Sequence, residues 1–145
     1  MSNTPRILEK QLYTASATAL GGRAGSVKSD DGTIDMAVAM PTGLGGTGGP
    51  GTNPEQLFAA GYAACFGSAI GHIARVQKLS TGPVQVTAKV SIGPVSGVFG
   101  LAVELVATLP ELPREQAEAL VKAAHEVCPY SNATRGNIVV DLAVA

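Results

Sequence analysis

Hydrophobic and polar positions alternate from the start of the chain. Tyr13, Ala15, Ala17 and Ala19 interleave with Thr14, Ser16 and Thr18, the period-two pattern of a strand with one covered face. Gly21-Gly22-Arg23-Ala24-Gly25 interrupts it, and Ser26 to Ser29 reads as a short return strand. Asp30-Asp31-Gly32 predicts a turn, because Asp-Gly tolerates positive φ. Ile34, Met36, Val38 and Met40 then resume the alternation, and Pro41 to Thr52 is a loop with six glycines in twelve residues.

A helix is predicted next. Asn53 suits the cap, Pro54 the first helical position, and Gln56 completes a capping box. The pattern runs to about Leu79, where Ser80-Thr81-Gly82-Pro83 ends it. The 18 residues Leu57 to Ala74 carry no charge and are apolar or small on both flanks, which places this helix in the middle of the structure. Gly67 and Gly71 each cost up to about 1 kcal/mol of helix propensity, and close approach by another backbone is the expected compensation. Val84 to Ile92 and Phe99 to Leu109 alternate on either side of Gly93-Pro94-Val95-Ser96-Gly97 and read as a hairpin. Pro113 opens a second helix with an apolar stripe of Ala117, Leu120, Val121, Ala124 and Val127, ending at Cys128-Pro129. Ile138, Val140, Leu142 and Val144 form a last strand. Strands, helix, strand pair, helix, strand, with hairpin-joined neighbours, predict a single α+β domain over residues 1–145 rather than a βαβ repeat.

Composition sharpens this picture. With 46% hydrophobic and 14% charged residues the chain can bury a core, yet it has 4% aromatics and no Trp. So little bulk per residue implies further burial against a partner subunit. A net charge of −1 offers no basic surface for nucleic acid or an anionic membrane. The first residues lead into no apolar signal segment, so secretion is not expected. The uncharged helix contains Gly61, Gly67, Gly71, Ser68 and His72 and occurs once, which suits a buried helix better than a spanning one. In the cytosol expected for such a chain, two cysteines do chemistry or sit inertly in a core.

Several motifs compete for the chemistry. Gly46 to Gly51 is a formal G-x-G-x-x-G, but no acid follows at the required distance and no Gly-Lys-Ser/Thr ends it. Cys65 lies in the most apolar helix, where a neutral thiol would be inert with its pKa raised. Reactivity there requires a cation. Arg23, Arg75, Arg114 and Arg135 are the candidates beyond Arg6, and the residues leave the choice open, although Arg23 stands out on its glycine-rich turn. Glu55 precedes Cys65 by ten residues, about 15 Å along a straight helix. It reaches Cys65 only if the helix bends, with Gly61 the weak point, or if it acts across a subunit boundary. Cys128 sits at the carboxyl end of a helix, which disfavours an anion. His125 and Cys128 are spaced to chelate, but Cys65 and His72 are seven apart, so no short metal knuckle forms, and His125 is expected to cap or solvate a helix end. Taken alone, the residues describe a two-cysteine α+β domain of open redox role.

Gly51-Thr52-Asn53-Pro54-Glu55-Gln56-Leu57-Phe58-Ala59-Ala60-Gly61-Tyr62-Ala63-Ala64-Cys65-Phe66 and Val127-Cys128-Pro129-Tyr130-Ser131-Asn132-Ala133-Thr134-Arg135-Gly136-Asn137 closely resemble the organic hydroperoxide resistance proteins of the OsmC/Ohr family. The likeness extends to Gly22-Arg23-Ala24-Gly25 and the Asp30-Asp31-Gly32 turn, and so to nearly the whole chain. It implies an intertwined homodimer with antiparallel sheets around central helices and two interfacial active sites. It implies a cytoplasmic, cofactor-free peroxidase for organic and fatty-acid hydroperoxides, re-reduced by an external dithiol, lipoylated protein. Cys65 matches the family's peroxidatic cysteine, Cys128 the resolving one, Arg23 the activating arginine and Glu55 the acid that orients it. Tyr62, Phe66 and Leu57 are candidate linings for an acyl channel. A redox sensor using the same disulfide is the alternative expectation, and a binding dimer with incidental cysteines a third.

Overall fold

The computed structural model describes residues 4–145. The chain forms two compact units, one ending at Asn53 and one spanning Pro54–Ala145.

The first unit is a three-stranded antiparallel sheet of β1 (Ala17–Leu20), β2 (Ser26–Ser29) and β3 (Asp35–Ala37), in that order. The alternation from Tyr13 predicts a longer first strand, but β2 has four residues, and Ala17 pairs with Ser29 at its end. A ladder extends only as far as its partner. The turn between β2 and β3 forms where expected, with Asp31 accepting hydrogen bonds from Ser29 Oγ at 2.7 Å and Thr33 N at 3.0 Å. Val38 leaves β3 to bridge Thr52 in parallel, which closes the glycine-rich loop on itself.

The second unit begins with α1 (Pro54–Gln77). Tyr62, Phe66, Ala69, Ile70 and Ala74 form its buried stripe. The opposite side, with Ala60, Ala64, Ser68 and His72, is open in the single chain, so only one of the two apolar flanks is covered. By length and composition α1 could also cross a membrane, but its stripe belongs to the core of this unit. The expected backbone neighbours of Gly67 and Gly71 are absent among the described residues. A Cβ there would meet Val86 Cγ2 at 3.7 Å and Arg75 Nη1 at 3.5 Å.

β4 (Gln85–Val95) and β5 (Val98–Thr108) form the hairpin, with Val95 opposite Val98. The strands run further into the predicted loop than the sequence suggested, and Pro94 pairs with Phe99. The turn needs only Ser96 and Gly97, both at positive φ (48° and 85°), as a two-residue hairpin loop requires. Val103, Leu105 and Ala107 of β5 point into the core, while Lys89 and Glu104 pair at 3.3 Å across the strands on the open face.

Helices α2 (Arg114–Val127) and α3 (Pro129–Thr134) then lead to β6 (Val140–Val144). β6 pairs with β5 in parallel, which departs from the expectation of hairpin-joined neighbours. Two helices carry the chain back along the sheet before β6 begins, the kind of crossover a parallel pair needs. The α+β class stands, with one antiparallel and one mixed sheet.

Candidate active site

Cys128-Pro129 does two jobs. The residue before a proline is driven out of the α region, and Cys128, at φ −66° and ψ 125°, ends α2. Proline is favoured at a first helical position, so α3 starts at once. In the sequence Pro129 reads as a stop, and this helix is not visible there. Cys128 therefore sits at a joint between helices, fully buried.

The joint faces α1. Cys128 Sγ lies 3.5 Å from Cys65 Sγ, and both thiols are free. Burial pushes the Cys65 thiol up, the Tyr130 backbone N–H directed at it pulls it down, and the neighbouring Cys128 pushes it up again. Within the second unit burial prevails, so a thiolate needs a further cation.

Two of the three arginines of this unit are occupied elsewhere. Arg114 Nη1 donates to the Val144 carbonyl at 3.0 Å. Arg135 donates to the His125 carbonyl and, at 3.0 Å, to Asn132 Oδ1. Arg75 is exposed ten residues beyond Cys65 on the same helix. Arg23, in the first unit, is half-buried on a 3-10 turn of Gly22–Ala24. Gly21 there has φ 81°, and a Cβ on Gly25 would strike the Leu20 carbonyl, so the turn is built to hold one shape. Glu55 is half-buried in the first turn of α1, which runs unbroken to Gln77. No helix break brings its carboxylate down to Cys65, and Gly61 serves another purpose: a Cβ there would stand 2.6 Å from the Tyr130 hydroxyl.

A polar cluster lies under α3 that sequence reasoning missed. Ser131 Oγ is 2.8 Å from Tyr62 Oη and 2.8 Å from His125 Nδ1. Tyr62 Oη is also 3.1 Å from Thr134 Oγ1, which donates to the Ser131 carbonyl at 3.3 Å. His125 thus neither caps nor solvates a helix end; burial and then Arg135 hold its imidazole below the ordinary value, against the pull of Glu126.

A cavity of about 620 Å³ adjoins the joint, lined mainly by apolar groups including Phe58, Leu101, Pro129, Tyr130, Ala133 and Ile138. Tyr62 and Phe66, read as channel candidates, are fully buried core residues. The α1 side chain that reaches the cavity is Phe58, whose ring meets Tyr130 edge-on at 6.1 Å.

Residues 46–143 match the model of the OsmC-like protein family. The chain is 53% identical over 138 residues to an organic hydroperoxide resistance protein of Xanthomonas axonopodis pv. citri, covering 94% of this chain and 97% of that one. Among solved structures, an organic hydroperoxide resistance protein of Legionella pneumophila is similar at 56% identity and a TM-score of 0.87, over 94% of this chain and 99% of that one. OhrB of Bacillus subtilis is similar at 49% identity and a TM-score of 0.87, over 93% and 100%.

Proposed function

The chain belongs to the OsmC-like family, and from that premise we propose that it is a two-cysteine peroxidase for organic hydroperoxides. The observation that carries this reading is the 3.5 Å approach of the Cys65 and Cys128 sulfurs, with Pro129 and Tyr130, the residues after Cys128, lining an apolar cavity. The names of its relatives supply the substrate class.

In this reading Arg23 provides the cation that burial makes necessary, and Glu55 orients it. The Cys65 thiolate attacks the terminal oxygen of the hydroperoxide, the O–O bond breaks, and the leaving alkoxide takes a proton to become the alcohol. Guanidinium hydrogen bonds to the developing charge lower the barrier. Cys65 is left as a sulfenic acid. The Cys128 thiol attacks that sulfur, hydroxide departs with the thiol proton as water, and a disulfide remains. An external dithiol, which we assign to a lipoylated protein, returns two electrons and two protons by exchange. No cofactor is needed. The cytoplasm, where thiols are kept reduced, suits this cycle, and the active unit is a homodimer.

Steady-state turnover with a lipoyl dithiol tests the reading. The expected result is many equivalents of alcohol per subunit from an alkyl hydroperoxide and much slower reduction of hydrogen peroxide. Oxidation that stops after one equivalent despite excess dithiol would overturn it.

A further inference from the structure

Ser131 stands at a meeting point that the cycle above does not use. Its side chain is fully buried and lies 2.8 Å from groups on two other helices. Tyr62, on α1, is three residues before Cys65; His125, on α2, is three residues before Cys128; Ser131 itself is three residues after Cys128. Three residues is close to one helical turn, so one hydroxyl ties together the turns that carry both sulfurs.

The hydrogen bonds have a direction. The Ser131 carbonyl can only accept, so Thr134 spends its single hydroxyl hydrogen there. Thr134 Oγ1 must then accept from Tyr62. Tyr62 in turn accepts from Ser131, and Ser131 accepts from His125 Nδ1–H. The chain runs from His125 through Ser131, Tyr62 and Thr134 to the Ser131 carbonyl, and every hydroxyl in it is used once. A network whose members are all satisfied rigidifies its surroundings, and here those surroundings are the joint at Cys128 and the Tyr130 amide directed at Cys65.

We propose that Ser131 is a positioning residue for the Cys65–Cys128 couple, holding α3 against Tyr62 and His125 so that the two sulfurs stay within reach of a bond. The proposal rests on the redox role given to this pair above. Its physical content is effective concentration: two thiols held in register form a disulfide more readily than two that wander.

The test uses thiol exchange and no peroxide. Protein with both thiols is equilibrated with mixtures of reduced and oxidised dithiothreitol. Formation of the Cys65–Cys128 bond transfers two electrons and two protons to oxidised dithiothreitol, and intact mass after acid quench reads the fraction oxidised. Ser131→Ala should lower the equilibrium constant for disulfide formation by about tenfold, a shift of roughly 30 mV for a two-electron couple. Tyr62→Phe keeps the ring and removes only the hydroxyl; it should shift the same way, and it remains informative if Ser131→Ala does not fold. The double variant should shift by less than the sum of the two single ones, since both break the Ser131–Tyr62 connection. Thermal unfolding is recorded alongside. Folded variants that lose stability but keep the wild-type exchange constant would overturn the proposal, leaving Ser131 a packing residue. A wild-type protein that fails to turn over alkyl hydroperoxide would sink the peroxidase reading and leave the exchange measurement intact.

Discussion

Replacing Cys65 by Ser should abolish alcohol production, because a serine hydroxyl stays protonated and is a poor nucleophile toward an O–O bond. Cys128→Ser should keep the first attack, release about one equivalent of alcohol per subunit in a burst, and then slow with a lipoyl dithiol as Cys65 drifts toward sulfinic acid. Rapid-quench product analysis with intact mass resolves the two events. In the same Cys128→Ser background, Arg23→Ala should move the Cys65 titration, followed by ultraviolet absorbance, to higher pH, since burial is then unopposed by the proposed cation. His125 sets a second pH dependence. Its folded value lies below the ordinary one, so between the two the unfolded chain binds more protons than the native state. The stability associated with neutral His125 is full above the ordinary imidazole range and is lost as pH falls through it toward the folded value. Urea unfolding between about pH 7.5 and 5 should show this loss, and His125→Asn, which retains a donor, should flatten it. At this scale the sequence was legible through motifs: the two cysteines stood out by their neighbours, and their sulfurs lie 3.5 Å apart. The Ser131 cluster was not, because Tyr62 and Ser131 are 69 residues apart and no periodicity predicts which hydroxyls meet.

Gly61 decides how α1 and α3 meet. Substituting Ala gains about 1 kcal/mol of helix propensity, but its Cβ would stand 2.6 Å from the Tyr130 hydroxyl and 3.1 Å from the ring carbon bearing it. Tyr130 must swing away from Phe58 and Tyr62, whose rings it meets at 6.1 and 5.6 Å. Two such aromatic contacts are worth roughly 0.5–1.5 kcal/mol each, so the loss outweighs the gain, and Gly61→Ala should destabilise by about 1 kcal/mol net. In a Tyr130→Ala background the same substitution should become stabilising; chemical denaturation of the four proteins measures the sign change. The elements themselves were largely legible. β2, the hairpin and the buried stripe of α2 lie where period two and period 3.6 put them, except that Val127, at the end of that stripe, is 45% exposed. Two features were not. Periodicity reports which face is covered but not strand direction, which hid the parallel pairing of β6. Pro129 reads equally well as a stop and as a start, which hid α3.

Ile7 and Leu12 are 89% and 86% exposed in the single chain, and α1 leaves Ala60, Ala64 and Ser68 uncovered. Apolar residues left bare on each unit are what the expected partner subunit would cover, in line with the shortage of bulky side chains. Sedimentation equilibrium at micromolar concentration should therefore give twice the mass of one chain; a stable folded monomer would refute the homodimer. The sequence could suggest a partner only through what it lacks, since one chain's pattern marks faces that want covering without identifying what covers them. The aromatic grouping at the joint has an optical consequence. With no Trp and three Tyr in the chain, ultraviolet emission comes from Tyr13, Tyr62 and Tyr130. Tyr62 and Tyr130 stand on the turns flanking the two sulfurs, and disulfides quench neighbouring tyrosine. In a Tyr13→Phe protein the remaining light would report the redox state of the couple directly, so that each turnover could be followed as a dimming and a recovery with no dye attached.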